Sequence, residues 1–327
     1  MTDFTIVIPT YNGERFVAEA IGSVLTQTLP PSEIIIVDDC STDRTLSVVS
    51  ELVGLSSIPI QVIRLPTNSG GPSKPINIGM EHCRTEFVAV LDQDDCFLPD
   101  RLATHRMLFE ICEHVDLVFG FVARYGDPIE QTIQSSDLIE LLILSAARKS
   151  LGKETSYILQ PDMAHKLLAW KGNFLMGFPG FSFRRAAWKR NPINERFCIA
   201  GDYLFICQLA SRGMAFTTAS CYRRRVHNDN LSGDFLRSNS EVATIRKELF
   251  SKDGRLAKDK DVRTEVKGWF LGCGYWAREA GRLRLSIWFY FSALEIWGWD
   301  WRVWISLIKA IPLGAWRRIC REKQDRL

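Results

Sequence analysis

Phe87-Val88-Ala89-Val90-Leu91-Asp92-Gln93-Asp94-Asp95 is an apolar run that ends on three carboxylates within four residues. Short apolar runs rich in β-branched residues, without polar alternation, are typical of strands covered on both faces. Carboxylates gathered at the mouth of such a strand repel one another, and a turn that keeps them together calls for a compensating cation. Hard oxygen donors suit Mg²⁺ or Mn²⁺, which bridge to the phosphates of a nucleotide. A solvated acidic turn leading into a helix near Arg101 is the plainer alternative.

On either side of this run, residues 4–9, 33–38, 60–65 and 115–123 repeat the same apolar pattern. Helical stretches separate them at 16–27, 44–52, 75–83 and 101–113, with Ser41-Thr42-Asp43 and Pro99-Asp100 as N-cap candidates. Strand–helix alternation implies a parallel sheet with helices on both sides. Ligands of such sheets sit at the carboxyl ends of the strands, where strand order reverses. The polar signals fall there: Thr10-Tyr11-Asn12-Gly13, Asp38-Asp39, residues 68–71 and the acidic turn. A carboxylate at Asp39 suits the imino N–H of a uracil or a ribose hydroxyl, though a helix cap would also explain it.

The rhythm lapses over residues 124–172, which read as a helical insertion with 138–144 as its apolar core. A glycine- and aromatic-rich strand or turn follows at 177–184, then a helix at 202–212, a strand at 215–218 and a basic segment at 222–227. Asp202 opens that helix, where a carboxylate serves equally as a cap or as a catalytic group. Arg225-Val226-His227 with Asn230-Leu231-Ser232 suits a pyrophosphate or a metal shell, with a purely structural histidine as the alternative. Residues 251–263 are charged, apolar-poor and linker-like, giving a domain over 1–250 and an extension over 264–327.

The chain of 327 residues is 46% apolar and carries a formal charge of only +3, which gives no nucleic-acid signal. Its nine cysteines are scattered without a C-x-x-C pair, a pattern of reduced thiols rather than a disulfide frame or structural zinc. With no secretory pattern and no run of about eighteen apolar residues, a cytoplasmic location is expected, with contact to a membrane left open.

The order and spacing of several weak motifs resemble the family 2 glycosyltransferases. They are Ile8-Pro9-Thr10-Tyr11-Asn12-Gly13, Val37–Asp43, Asn68-Ser69-Gly70-Gly71, Asn77-Ile78-Gly79, Leu91–Asp95 and Pro99-Asp100-Arg101-Leu102. Later segments, Phe183-Arg184-Arg185, Gly201-Asp202-Tyr203 and Arg225–Ser232, extend the likeness over about residues 1–235. The resemblance implies a GT-A fold (a central, mostly parallel α/β sheet flanked by helices), a nucleotide-diphospho-sugar donor and inversion by single displacement. It implies that Thr10, Tyr11 and Asp39, with Pro9 beside them, hold the nucleoside, and that Asp94 and Asp95 reach ribose, diphosphate and Mn²⁺ or Mg²⁺. Asp95 is the favoured metal ligand, and His227 is the candidate to complete the metal shell. Arg225 and Lys74 would add charge for the diphosphate; Lys74 stands near Ile76, where the family often has arginine. Asp202 matches the general base, the second acid of a Glu-Asp pair whose first member is here Gly201. The resemblance also implies a saccharide or lipid-linked acceptor.

Two other readings compete. A sugar-nucleotide pyrophosphorylase or dinucleotide enzyme would place a glycine-rich phosphate loop where Pro9–Gly13 stands. A non-catalytic, membrane-docked binding protein on the same fold would be expected to lack the aspartates, and Asp39, Asp94, Asp95 and Asp202 are all present.

The extension carries eight of the ten tryptophans. Trp301, Trp304, Ile305, Ile308 and Ile311 recur at helical spacing, with Arg302, Ser306 and Lys309 on another face. Pro312-Leu313-Gly314 breaks the helix ahead of a basic end, Arg317, Arg318, Arg321, Lys323 and Arg326. Tryptophan with arginine on an amphipathic helix is the composition of an element lying in a membrane interface. A helical hairpin packing on protein is the alternative.

Overall fold

The computed structural model describes residues 4–125, 131–132, 136–151, 154–227, 230, 234–250, 259–297 and 301–310. The chain divides into two compact units, Met1–Gly233 and Asp234–Leu327. The first begins with β1 (Phe4–Thr10), α1 (Val17–Leu25), β2 (Glu33–Asp38), α2 (Thr45–Leu55), β3 (Ile60–Arg64), α3 (Ser73–His82) and β4 (Phe87–Val90). These strands pair in parallel in the order β3-β2-β1-β4, so order reverses between β1 and its two neighbours. The alternation read from the sequence therefore builds the expected switch point. Phe4, Ile6, Ile8, Ile34, Ile36 and Ala89 lie in the core beneath α1, with Val17, Ala20, Ile21 and Val24 of that helix. β3 departs from the doubly buried pattern. It is the edge strand, and Gln61, Val62 and Arg64 are exposed.

The second half of the sheet is mixed. It adds β5 (Cys96–Phe97), α4 (Arg101–Ile111), β6 (Leu117–Tyr125), β7 (Gln131–Thr132), α5 (Ser136–Leu144), β8 (Ala147–Leu151), β9 (Glu154–Leu159) and α6 (Pro161–Lys171). A 3₁₀ turn at Phe178–Gly180 leads into β10 (Phe181–Arg184), α7 (Arg185–Arg190), α8 (Gly201–Leu209) and β11 (Met214–Arg225). β10 runs antiparallel between β4 and β6, and β11 lies parallel to β6.

The segment 124–172 is not wholly helical. β8 and β9 form an antiparallel hairpin whose second strand pairs with β11. Thr155, Tyr157 and Ile158 favour a strand, and the pairing partner that stabilises it lies some sixty residues downstream. β11 also runs through what read as a short strand and a separate basic segment. At the N-cap candidates, Asp43 accepts from the Thr45 N–H at 2.9 Å, whereas Asp100 accepts from the Thr28 hydroxyl at 3.0 Å and caps nothing.

The second unit holds α9 (Phe235–Phe250), α10 (Lys260–Glu279), α11 (Leu283–Trp297) and α12 (Trp301–Ala310). Its boundary falls before α9 rather than after residue 250, because α9 packs on α10 and α11. Arg246 lies 4.5 Å over the Trp269 ring and Lys247 pairs with Glu295. Of the expected linker, 251–258 lies outside the described residues. Residues 260–263 are helical, with Asp259 capping α10 through its carboxylate. α10 buries Val262, Val266, Phe270, Cys273 and Ala277 at helical spacing. Among the described residues, no helix is long and apolar enough to cross a membrane.

Candidate active site

Pro9 is buried in β1, and residues 10–13 leave its carboxyl end towards β2. Asn12 takes a left-handed φ of 47°; its N–H donates to Ser41 Oγ (3.0 Å) and its Oδ1 accepts from the Thr42 N–H (2.9 Å). The Gly13 N–H donates to Thr45 Oγ1 (2.8 Å) and the Glu14 N–H to Asp43 (3.1 Å). The two strand ends are thereby stapled together. Gln93 of the acidic turn closes the third side, exchanging two hydrogen bonds with the Tyr11 backbone at 2.8 and 2.9 Å. Gly13 permits this, since a Cβ there would stand 2.2 Å from Gln93 Oε1. Tyr11 itself remains 45% exposed.

Thr10 Oγ1 reaches Asp38 Oδ1 at 3.4 Å, and Asp38 also accepts from the Ser41 N–H at 3.0 Å. Asp38 is therefore structural, while the buried Asp39 faces the next loop. Its carboxylate accepts from the Ser69 N–H (2.9 and 3.0 Å) and hydroxyl (2.9 Å), which fixes its direction and leaves lone pairs over for a ligand. Lys74 is exposed on the first turn of α3.

The acidic turn meets the end of β11. Asp94 Oδ2 lies 2.9 Å from His227 Nε2 and 3.0 Å from Asn230 Nδ2. Asp95 Oδ1 accepts from the Arg225 N–H at 2.9 Å, and Arg225 Nε donates to the Asp94 carbonyl at 3.2 Å. The Arg225 guanidinium sits 4.8 Å over the Phe16 ring and pairs with Glu19. The sequence-predicted Asp94, Asp95, Arg225 and His227 are thus brought together, 130 residues apart in the chain. Burial, then the Asp94 charge, pushes Asp92 up to about 7, and burial with Asp94 and Asp92 raises Asp95 well above the carboxylate range. The cluster is short of positive charge, and its oxygen-rich donor set fits a hard divalent cation. Among the described residues, no three such groups stand close enough together to hold a metal ion as they are placed, and Asp95 Oδ1 is taken by the Arg225 N–H.

Asp202 is in the first turn of α8 and only 8% exposed. Oδ1 accepts from the Tyr203 N–H and Oδ2 from Asn173 Nδ2, both at 2.6 Å. Burial pushes it up to about 6, against the pull of those two donors and of Arg224. Arg224 also pulls Asp92 and Asp95 down, and the Asp202 charge raises Asp92. Asp202 is therefore within electrostatic reach of Asp92 in the acidic turn, and Arg224 acts on the carboxylates of both. Sequence reasoning singled out neither Asn173 nor Arg224. A lone asparagine after a glycine carries no pattern, and Arg224 is one of three successive arginines with nothing local to rank them. Gly201 is explained by close packing: a Cβ there would lie 2.5 Å from Ser73 Oγ, itself bonded to the Phe197 carbonyl at 2.9 Å.

A parallel half with an acidic turn at its switch point, joined to a mixed second half, is the GT-A architecture of nucleotide-sugar enzymes. The crystal structure of Staphylococcus aureus TarS 1-349 in complex with UDP-GlcNAc superposes with a TM-score of 0.56 at 21% identity, over 91% of this chain and 90% of that one. Residues 5–188 match glycosyl transferase family 2, and the chain belongs to that family. It is 40% identical over 97 residues to the poly(ribitol-phosphate) beta-N-acetylglucosaminyltransferase TarS of S. aureus, covering 29% of this chain and 17% of that protein. It is 38% identical over 93 residues to the poly(ribitol-phosphate) beta-glucosyltransferase of Bacillus spizizenii, covering 28% of this chain and 14% of that one. Each match therefore spans less than a fifth of the relative's length.

Proposed function

We propose that this chain is an inverting glycosyltransferase that moves a hexose or N-acetylhexosamine from a UDP-sugar to a hydroxyl of a cell-envelope polymer or lipid-linked saccharide. The observation that carries this reading is Asp202, a buried carboxylate in the first turn of α8, held by the Tyr203 N–H and Asn173 Nδ2 and pushed by burial up to about 6. As the acceptor oxygen forms its bond to the anomeric carbon, its proton passes to Asp202. The opposite C–O bond breaks, its electron pair leaving on the diphosphate. One base on the face opposite the leaving group gives inversion, and a diphosphate leaving group needs no second carboxylic acid of the glycosidase kind.

In this reading Pro9, Thr10, Tyr11 and Asp39 receive the nucleoside, and Asp94 the ribose and diphosphate, with Lys74 and Arg225 near the phosphates. Asp95, Asp94 and His227 would hold Mg²⁺ or Mn²⁺, which when bound supplies charge neutralisation on the leaving oxygen. The UDP-GlcNAc complex of TarS supports the choice of donor, and the named polymers of the relatives support the acceptor class. The second unit has 19 Lys and Arg against 12 Asp and Glu, net +7, whereas the first has 22 against 26, net −4. Trp301, Trp304 and Ile305 stand exposed together on α12. We place this unit on an anionic membrane surface, which its basic charge and exposed tryptophans would favour.

A panel of nucleotide-sugars, read by UDP release and thermal shift with and without Mn²⁺, tests the reading. A UDP-hexose or UDP-N-acetylhexosamine should be turned over and should raise the melting temperature more with metal. Selective turnover of a non-uridine donor would remove the uridine assignment. No turnover and no shift with any nucleotide-sugar would leave the non-catalytic alternative standing.

A further inference from the structure

If Asp202 is the base of the proposed reaction, what aims it matters. The Tyr203 N–H bond is local to the first turn of α8 and comes with the helix. The bond to Asn173 is not local: it crosses 29 residues, from the loop that follows α6. A carboxylate demands a donor, so the amide must present Nδ2 to Asp202 and turn Oδ1 away. That Oδ1 is buried, and among the described residues it has no hydrogen-bond partner. A bare buried carbonyl destabilises the fold, and an apolar side chain would fill the place without that cost. What the amide contributes is its donor.

The loop is also held firmly. Met176 and Gly177 take positive φ angles of 63° and 114°. The Tyr222 hydroxyl donates to the Met176 carbonyl at 3.0 Å, and the buried Arg101 donates to the carbonyls of Pro179 (2.8 Å) and Phe181 (2.9 Å). A left-handed methionine persists only where its surroundings impose it. Two buried side chains from β11 and α4 thus fix the segment that carries Asn173.

We infer that Asn173 is a positioning residue for the base, holding the Asp202 carboxylate in one orientation with a lone pair free for the acceptor hydroxyl. This rests on Asp202 being the base. The charged groups facing Asp202 from other elements are Arg224 of β11 and Asp92 of the acidic turn, and substitution at 173 leaves both in place. A mere tie between the α6 loop and α8 would show itself differently, as lost stability with an unmoved pH profile.

The experiment compares Asn173→Ala, Asn173→Asp and Asp202→Asn with wild type. Hydrolysis of the UDP-sugar that wild type turns over is followed against pH, with UDP affinity by calorimetry and the Asp202 carboxyl titrated by ¹³C NMR. Asn173→Ala should lower kcat by roughly 10–100-fold, the worth of one hydrogen bond to a charged group, with donor KM and UDP affinity unchanged. The acidic limb and the Asp202 midpoint should rise by about one unit. Asn173→Asp, nearly isosteric, should move them further up by adding a like charge. A folded Asn173 variant whose midpoint and acidic limb stay where wild type has them overturns the inference. If Asp202→Asn keeps wild-type turnover, it is the base assignment that fails. The NMR midpoint still reports the Asn173 contact in that case.

Discussion

In the proposed reaction Asp202 has to be ionised to accept a proton, and burial, which pushes it up to about 6, sets where that happens. Turnover should climb tenfold per pH unit below about 6 and level off above it, since deprotonation is what the rising pH supplies. Asp202→Asn keeps the shape and removes the basicity, so UDP affinity should hold while transfer falls by roughly 10²–10⁴-fold. Transfer within a few-fold of wild type would place the base elsewhere. On the donor side, EDTA or Asp95→Ala should cost at least about tenfold in UDP affinity by calorimetry, roughly 1.4 kcal/mol. Unchanged affinity in both would withdraw the metal role. The sequence made these carboxylates legible because each closes an apolar run or opens a helix. Arg224 and Asn173 were not legible: their importance comes from what the folded chain sets opposite them, and no spacing announces it.

Helix α3 shows how closely the elements are fitted. Gly79 lies against β1, where a Cβ would come within 2.6 Å of Val7 Cγ1, and Val7 is wholly buried with little freedom to turn. Gly79→Ala should therefore overpack the layer between helix and sheet and cost about 1–3 kcal/mol, seen as a lower melting temperature. An unchanged melting point would mean that α3 slides along the sheet without penalty. Elements of the first half were readable because continuous apolar runs and helical periods alternate without interruption from residue 4 to residue 113. The β8–β9 hairpin escaped notice for the opposite reason. Ala147-Arg148-Lys149-Ser150-Leu151 has little strand character of its own and is organised by β9, which is organised in turn by β11. Likewise β3 reads as a core strand, yet its place at the sheet edge leaves one side open. Only the tertiary partner decides such cases.

At the scale of the molecule, charge is divided between the two units, acidic in the first and basic in the second. The full chain should co-sediment with anionic vesicles, less so at high salt, because attraction of this kind decays over about 10 Å at 0.1 M. Replacing Trp301 and Trp304 by alanine should release it while leaving UDP affinity intact. Equal sedimentation of both proteins would clear α12 of that role, and indifference of the wild type to vesicles would remove the membrane from the account. Strand β11 has a reach of another kind. It pairs with β6 and β9, with β5 directly beyond the acidic turn, and it delivers Arg225 to Asp95. During synthesis the acidic turn leaves the ribosome 130 residues before that arginine does. At 5–20 residues per second the interval is about 7–26 s, in which the nascent aspartates have no strand to close on. On the proposed assignment of the acidic turn to the donor's diphosphate, the donor site is therefore completed only once β11 has emerged.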